Sequence, residues 1–269
     1  MELVKRIRKR LPQCGGNNLW KLVNRVLRSF QLRPIGRDRL AWILRKYGLK
    51  VRWPRRRTPK TTYSDHSYAV QANLLRDFEI TGPGQVLVAD ITYIAVRSEH
   101  AYLFLITDAY SRMVVGYHLS KNLKHDGAVI ALKAAMKHVP DPKGVIHHSD
   151  RGVQYCCHDF LDEIKTWNLR ASMTDADHCA QNALAECMNG ILKREFLLGC
   201  EYPTFSLANT AVQQAILNYN HFRLHGSLKG QTPAEVHYGH SQTIENWAKE
   251  LISFQIPIPN MALQSVNSI

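Results

Sequence analysis

The chain has 269 residues, and 45% of them are hydrophobic, an ordinary proportion for a protein with a packed core. No run of about 18 uncharged apolar residues occurs and the first residues are charged, so we expect neither a membrane-spanning helix nor a signal peptide. The six cysteines form no C-x-x-C pair, which favours reduced thiols over a disulfide framework. These properties exclude a membrane protein and a small secreted domain, and they favour a cytoplasmic, nucleoid-associated protein.

Positive charge is concentrated at the start of the chain. Residues 1–60 contain 19 Lys and Arg against Glu2 and Asp38, a net charge of +17, whereas the remainder has a net charge of −4. Such a segment predicts binding to a polyanion, and DNA is the expected partner. A solvated face that only increases solubility is the alternative. The densest part is the run Arg55, Arg56 and Arg57.

Apolar stripes predict three short helices in residues 1–50, separated by turns at Gly15-Gly16 and Pro34-Ile35-Gly36. This arrangement is typical of a helix-turn-helix module, with Arg37 and Arg39 at the start of its last helix as candidate DNA contacts. A three-helix bundle without DNA-binding function is the alternative. Residues 51–84 are interpreted as a basic linker with one short helix near 69–78.

A catalytic α/β domain is predicted for residues 85–240, followed by a C-terminal tail at 241–269. The alternation of elements indicates a mixed sheet flanked by helices. The expected strands are 85–96, 101–107, 113–119, 144–148 and 169–173, and the expected helices are 126–138, 157–167, 180–197 and 207–221.

Two acids occupy unusual positions in this pattern. Asp90 interrupts a strand that is apolar on both faces, and a buried carboxylate is normally paired with a cation or a metal. Asp150 follows the strand at 144–148, where α/β folds place chemistry. Gly152 would allow a ligand to approach the backbone closely. The structural alternatives are a salt bridge for Asp90 and a turn for Asp150.

Glu186 lies on a helix with a polar stripe. At about 100° per residue, Leu184, Cys187, Met188, Ile191 and Leu192 share an apolar arc that is expected to pack on the sheet. The stripe is expected on the opposite side, where it would coordinate a metal and hold a phosphate, or simply face solvent. Its members are Asn182, Glu186, Asn189 and Lys193.

Together the three acids predict a metal-dependent nucleic-acid enzyme. Two hard cations about 3.5–4 Å apart need several carboxylates that converge from different elements. Asp90 and Asp150 are separated by 59 residues, and Asp150 and Glu186 by 35.

These acids lie within longer sequence motifs that resemble those of the OrfB-type transposases of the IS3 insertion-sequence family. That family has a DDE catalytic core of the ribonuclease H-like fold. The resemblance spans roughly residues 1–240. The motifs are V-A-D-I-T-Y-I (88–94), T-D-A-Y-S-R-M-V-V-G-Y (107–117), I-H-H-S-D-R-G-V-Q-Y (146–155), Q-N-A-L-A-E (181–186), L-K-R-E-F (192–196), Y-N-H-F-R-L-H-G-S-L (219–228) and T-P-A-E (232–235). Residues 174–181 depart from the glycine-bearing, aromatic-bearing loop usual in the family.

The resemblance implies that Asp90, Asp150 and Glu186 bind two Mg²⁺ or Mn²⁺ ions and catalyse cleavage and strand transfer at insertion-sequence ends. It also implies a circular intermediate, assembly of several copies on DNA, and an upstream OrfA-type partner or fusion. Expected DNA contacts are Lys193, Asn182, Asn189, Arg223, Arg37, Arg39, Arg55, Arg56 and Arg57.

Several other interpretations compete. Asp108 also ends a strand, but its setting favours a capped turn. The histidines and cysteines near 147–158 and 178–179 lack zinc-finger spacing, and no serine or cysteine nucleophile motif occurs. The remaining alternatives are a non-catalytic DNA-binding protein derived from a transposase and a nuclease that cleaves without joining.

Overall fold

The computed structural model describes residues 1–51, 68–97, 99–175 and 182–239. Within these ranges it contains helices and a single mixed sheet. Their order is α1 (Glu2–Arg10), α2 (Gly16–Ser29), α3 (Arg37–Lys46), β1 (Val86–Val96), β2 (Glu99–Asp108), β3 (Val114–Ser120), α4 (Asp126–Met136), β4 (Ile146–Ser149), α5 (Val153–Cys156), α6 (His158–Thr166), β5 (Arg170–Met173), α7 (Ala183–Glu195), α8 (Phe205–Phe222) and α9 (Pro233–Tyr238).

The sheet has five strands in the order β3-β2-β1-β4-β5. β1, β2 and β3 form an antiparallel meander, while β4 and β5 run parallel to β1. This topology confirms the predicted mixed sheet and places β1 at its centre. A central strand is covered on both faces, which explains why its sequence is apolar at odd and even positions.

Helices cover both faces of the sheet. On one face α4 and α6 pack on β1, β2 and β3. Gly116 of β3 permits the closest approach, because a Cβ there would lie 2.3 Å from the Ala131 carbonyl oxygen. On the other face α7 and α8 pack on β1 and β2 around the fully buried Tyr219. No described helix is long and apolar enough to span a bilayer.

The three predicted N-terminal helices are present, and they pack on the catalytic body. Their apolar residues belong to the same core cluster as those of α7 and α8. Asn18 donates to the Leu224 carbonyl at 3.1 Å, and Arg25 forms an ion pair with Glu235 of α9. Residues 1–50 therefore share a hydrophobic core with the domain that follows.

The short helix expected near 69–78 does not form. Asn73 Oδ1 instead accepts a hydrogen bond from the Leu75 amide at 3.0 Å, a local bond that competes with helix formation. The Leu74 amide donates to Ser172 Oγ of β5 at 3.0 Å. Leu75 and Ile80 pack against a small cluster at β1 and β4. The described end of the predicted linker is therefore attached to the sheet. Residues 241–269 lie outside the described residues.

Candidate active site at the ends of strands β1 and β4

Asp90 and Asp150 come together because β1 and β4 are parallel neighbours. The register pairs Val88 with His148, so two residues further along Asp90 stands level with Asp150. Paired strands lie about 4.8 Å apart. The Asp150 carboxylate is close enough to raise the pKa of Asp90. The sheet thus brings together two acids that are far apart in sequence.

Asp90 is a largely buried carboxylate with few hydrogen-bond donors. Its Oδ1 accepts from the Ile91 amide at 2.9 Å, and its Oδ2 accepts from Asn189 Nδ2 at 2.6 Å. Burial raises its pKa to about 7, and the carboxylates of Asp150 and Glu186 add to the increase, against the two hydrogen bonds. The two hydrogen bonds therefore do not offset the effect of burial and of the neighbouring carboxylates on the pKa of Asp90.

Asp150 stands at the turn into α5. Its Oδ1 accepts from the Gly152 amide at 3.0 Å. A Cβ at Gly152 would lie 3.0 Å from the same Oδ1. The absence of a side chain at Gly152 therefore accommodates the Asp150 carboxylate, whereas the sequence had suggested close approach of a ligand.

Glu186 lies in the first turn of α7, where the helix dipole favours a negative charge. Its side chain is exposed, and it is close enough to act on the pKa of Asp90. Within the described ranges, however, no three His, Cys, Asp or Glu side chains are arranged to hold one metal ion. The structure brings Asp90 and Asp150 together, with Glu186 beside them.

Two members of the polar stripe of α7, Asn182 and Asn189, face β1, so the expectation that the stripe lies on the side away from the sheet is wrong for these residues. Asn182 is 3% exposed and donates to the Ala89 carbonyl at 3.0 Å, and Asn189 is 8% exposed and donates to Asp90. The expected arc is also incomplete, because Cys187 is exposed. A helical wheel shows which residues share a side of the helix, but it does not show which side packs against other elements of the protein. Ala183, Glu186 and Cys187 are exposed, and Gly190 and Arg194 are partly exposed.

Lys193 extends the polar stripe by one further turn. It is half-buried, and burial lowers the pKa of its ammonium group, while the nearby Asp90 carboxylate opposes this effect. Arg194, the next residue, lies instead along the outer side of the helix, with its guanidinium beside Gly190. Lys193 is thus the cation of α7 that lies close enough to interact with Asp90.

The donors at this site fit a hard divalent cation. Asp90, Asp150 and Glu186 offer carboxylate oxygens, the ligands that Mg²⁺ and Mn²⁺ prefer. The raised pKa of Asp90 is the expected property of a carboxylate whose neighbours are also negative. A divalent ion would remove that repulsion and favour the ionised form.

The structure treats the other predicted DNA contacts differently. Arg223 forms an ion pair with Glu195 at 2.6 Å, and its side chain is 11% exposed, so two of its guanidinium nitrogens donate within the protein. Arg37 and Arg39 are exposed on α3. Arg55, Arg56 and Arg57 lie outside the described residues, as do residues 176–181 of the departing loop.

Sequence reasoning missed the surroundings of Trp42 on α3. This side chain is 46% exposed, and its ring lies 4.8 Å from the Arg39 guanidinium and 4.9 Å from the Lys46 ammonium. The signal was present in the sequence, because positions three before and four after an aromatic residue share its side of a helix.

The two rival sites have structural explanations. Asp108 is fully buried, with one oxygen accepting from Gly84 and the other from Ser111, which confirms the capped turn. His147 and His148 are buried in β4, and burial lowers the pKa of each, to about 3 and about 4. Both are neutral near pH 7.

Comparison with known proteins agrees with this geometry. Two family models, each described as an integrase core domain, match residues 80–179 and 168–233. The chain is 35% identical over 202 residues to the insertion element IS600 uncharacterized 31 kDa protein of Shigella sonnei, covering 74% of each chain. It is 33% identical over 204 residues to the transposase InsF for insertion sequence IS3A of Escherichia coli, covering 75% of this chain and 70% of InsF.

A solved structure supports the fold. The intasome of simian T-cell lymphotropic virus in complex with PP2A regulatory subunit B56 gamma contains a chain that matches with a TM-score of 0.51 and 19% identity. The match covers 84% of this chain and 71% of that chain. The five-stranded mixed sheet with helices on both faces is therefore the ribonuclease H-like integrase fold. The chain matches the integrase core models, places its carboxylates together on that fold and is 33% identical to InsF. It therefore belongs to the IS3 family of insertion-sequence transposases.

Proposed function

We propose that Asp90, Asp150 and Glu186 are the catalytic carboxylates of a DNA transposase and that they hold Mg²⁺ or Mn²⁺, as two ions. The observation that supports this most strongly is the environment of Asp90. Its pKa is raised to about 7 by burial and by the other two acids. A carboxylate that is buried beside two like charges lowers stability unless a cation is bound, so this environment supports a divalent-cation site.

The proposed reaction is a pair of phosphoryl transfers at one site. In the first, a water oxygen forms a bond to phosphorus at the end of the element, and the 3′-oxygen leaves with a proton as a 3′-hydroxyl. In the second, this hydroxyl attacks a phosphodiester in other DNA, whose own 3′-oxygen leaves. One phosphodiester forms as one breaks, so joining needs no ATP. Bound ions would supply Lewis acidity to the attacking and leaving oxygens.

The residues of the chain have separate roles in this scheme. Asp90 and Asp150 provide ligands from the rigid sheet, and Glu186 provides one from α7. Lys193, which faces the acids, binds the phosphate next to the scissile bond as a point charge. The exposed Arg37 and Arg39 bind the DNA backbone at a distance from the chemistry. For DNA held mainly by such contacts, loss of an acid should leave affinity nearly unchanged.

The proposed partners are insertion-sequence ends, target DNA and further copies of this chain. InsF, named a transposase for an insertion sequence, supports this. An upstream OrfA-type partner, separate or fused, is part of the proposal, as is a circular DNA intermediate formed by joining one end beside the other.

The decisive experiment compares carboxylate variants in a strand-transfer assay with a labelled 3′ end. Asp90→Asn, Asp150→Asn and Glu186→Gln should each reduce cleavage and joining by at least 1,000-fold in Mg²⁺ and in Mn²⁺. The matched control is Asp162→Asn, an exposed acid on α6 paired with Lys165, which should behave as wild type.

Three outcomes would contradict parts of the proposal. Full activity in any one acid variant would remove that residue from the site. Cleavage without joining in the wild type would indicate a nuclease. DNA binding without cleavage in any divalent metal would indicate a DNA-binding protein without catalytic activity.

A further inference from the structure

Two asparagines attach α7 to strand β1. Asn182, at the N-cap position of the helix, donates from its side-chain amide to the Ala89 carbonyl at 3.0 Å. Asn189, two turns later, donates to Asp90 Oδ2 at 2.6 Å. Both side chains are more than nine-tenths buried. The contacts reach consecutive residues of β1, the second of which is a proposed catalytic acid.

The orientation of the Asn189 amide is set by its partner. An ionised carboxylate can only accept, so the NH₂ group of Asn189 must face Asp90. Its Oδ1 then faces away, and the Oδ1 atoms of both Asn189 and Asn182 are buried without a partner among the described residues. A buried acceptor with no donor lowers stability. This cost is partly offset, because the two NH₂ groups donate to the Ala89 carbonyl and to Asp90.

Glu186 lies between the two asparagines on the same side of α7. At about 100° per residue, Asn182, Glu186 and Asn189 fall within about 60° of one another. The apolar side of the helix packs instead in the core shared with α8. Apolar packing tolerates small rotations of a helix, whereas two hydrogen bonds to one strand do not. The two amides therefore fix the side of α7 on which Glu186 is presented.

We propose that Asn189 and Asn182 are positioning residues of the carboxylate site: Asn189 holds the rotamer of Asp90, and the two amides together fix Glu186 beside it. The proposal rests on the proposed function of that site and replaces the predicted DNA contacts of these two residues. Hydrogen-bonded partners of metal ligands orient those ligands and strengthen metal binding. The unpartnered Oδ1 of Asn189 is free to accept from a water molecule within the site.

The first test is Mn²⁺ affinity, measured by calorimetry on the full chain. Asn189→Leu keeps the branched shape of the side chain and removes the donor, and it should weaken Mn²⁺ binding by about 10- to 100-fold. The matched control is Asn220→Leu on α8. Asn220 is also buried, and it makes two hydrogen bonds of 2.9 Å to Val114, away from the acids.

The control separates positioning from stability. Asn220→Leu should lower the urea midpoint and leave Mn²⁺ affinity within twofold of wild type. Asn189→Leu should show the larger loss of affinity with the smaller change in midpoint. Should Asn189→Leu fail to fold, Asn182→Ala, which adds no volume, replaces it and should weaken Mn²⁺ binding at least threefold. Affinity within twofold of wild type in these variants would overturn the proposal.

A second test needs no metal, so it separates this proposal from the proposed function. In EDTA, Asn189→Leu and Asn182→Ala should increase amide hydrogen exchange across Ala183–Glu195 at least tenfold, with exchange in Phe205–Phe222 unchanged. If the wild type binds no Mn²⁺ but this exchange difference is found, the metal site fails and the positioning role stands. Unchanged exchange in α7 would refute the positioning role, whatever the metal result.

Discussion

Two aspartates on neighbouring strands of the same sheet behave in opposite ways. Asp108 ends β2, opposite Leu87, and Asp90 lies three residues further along β1. The pKa of Asp108 is lowered despite burial, because hydrogen bonds from His237, Ser111 and Gly84 favour its charged form. The pKa of Asp90 is raised to about 7, because burial acts together with two neighbouring carboxylates.

This contrast shows that burial by itself does not distinguish a functional acid. Asp108 is completely buried and is surrounded by donors, so its charge stabilises the turn between β2 and β3. Asp90 has two donors and two like charges around it. The charge of the surrounding groups distinguishes the two acids, and it supports our proposal that Asp90 binds a cation.

The largest expected effect is a contrast between Asp108→Asn and Asp90→Asn. The first should lower stability, and the second should abolish activity instead. Asp108→Asn places an NH₂ group against N–H donors and should lower the free energy of unfolding by about 3 kcal/mol or more. Asp90→Asn removes a repelled charge, so at pH 8 in EDTA it should leave the free energy of unfolding unchanged or raise it, while abolishing strand transfer. Urea unfolding in EDTA measures both changes. Equal destabilisation by the two substitutions would break the comparison.

A smaller effect is expected in the pH dependence of stability. The pKa of Asp90 is about 7 in the folded chain and near 3.8 when unfolded, so the folded state alone holds this proton between those values. Its contribution to the free energy of unfolding should therefore fall as pH rises from about 4 to about 7. The contribution of Asp108, whose pKa is lowered, should be present above 3.8 and lost as pH falls below it.

Comparison of the wild type with Asp90→Asn isolates the pH dependence of stability that Asp90 causes. Because the pKa of His237 is raised, its contribution to the free energy of unfolding also falls as pH rises above 6.5. The Asp90→Asn variant keeps this contribution, so it cancels in the comparison. Between pH 5 and pH 8 in EDTA, the free energy of unfolding measured with urea should fall more in the wild type than in Asp90→Asn. Saturating Mg²⁺ should remove the difference, because the ion favours the ionised carboxylate. Parallel slopes in EDTA would contradict the assignment of Asp90.

The smallest effect concerns one donor to Asp108. Ser111 Oγ donates to Asp108 Oδ1 at 2.6 Å and contacts His237 Nδ1 at 3.1 Å. Ser111→Ala should lower the free energy of unfolding by about 1–2 kcal/mol, since the two backbone donors remain. Strand transfer should stay at the wild-type level. A loss of activity at a temperature where the variant is folded would connect this turn to the chemistry.

The sequence predicted the features that depend on local pattern. Apolar runs located the strands and the main helices within a few residues, and the interruption at Asp90 was visible because β1 is otherwise apolar. Two short helices, Val153–Cys156 and Pro233–Tyr238, were not predicted as separate elements. The second is fixed by a capping box in which Thr232 and Glu235 exchange hydrogen bonds.

Features that depend on tertiary contacts could not be predicted. The polar stripe of α7 was placed away from the sheet because one sequence does not show that both sides of a helix are covered. Arg223 was expected to contact DNA, but Glu195, a residue 28 positions earlier, engages its guanidinium. The N-terminal helices were expected to form their own module, but Asn18 and Arg25 attach them to residues more than 200 positions away.

The central claim is that Asp90, Asp150 and Glu186 form one metal site. The most direct test is a crystal structure of the full chain with a DNA end and Mn²⁺, in which anomalous scattering locates the ions. At least one peak should lie about 2.2 Å from oxygens of both Asp90 and Asp150, with the Glu186 carboxylate turned toward a peak. Bound DNA with no peak at these acids, or with the ions held elsewhere, would contradict the account.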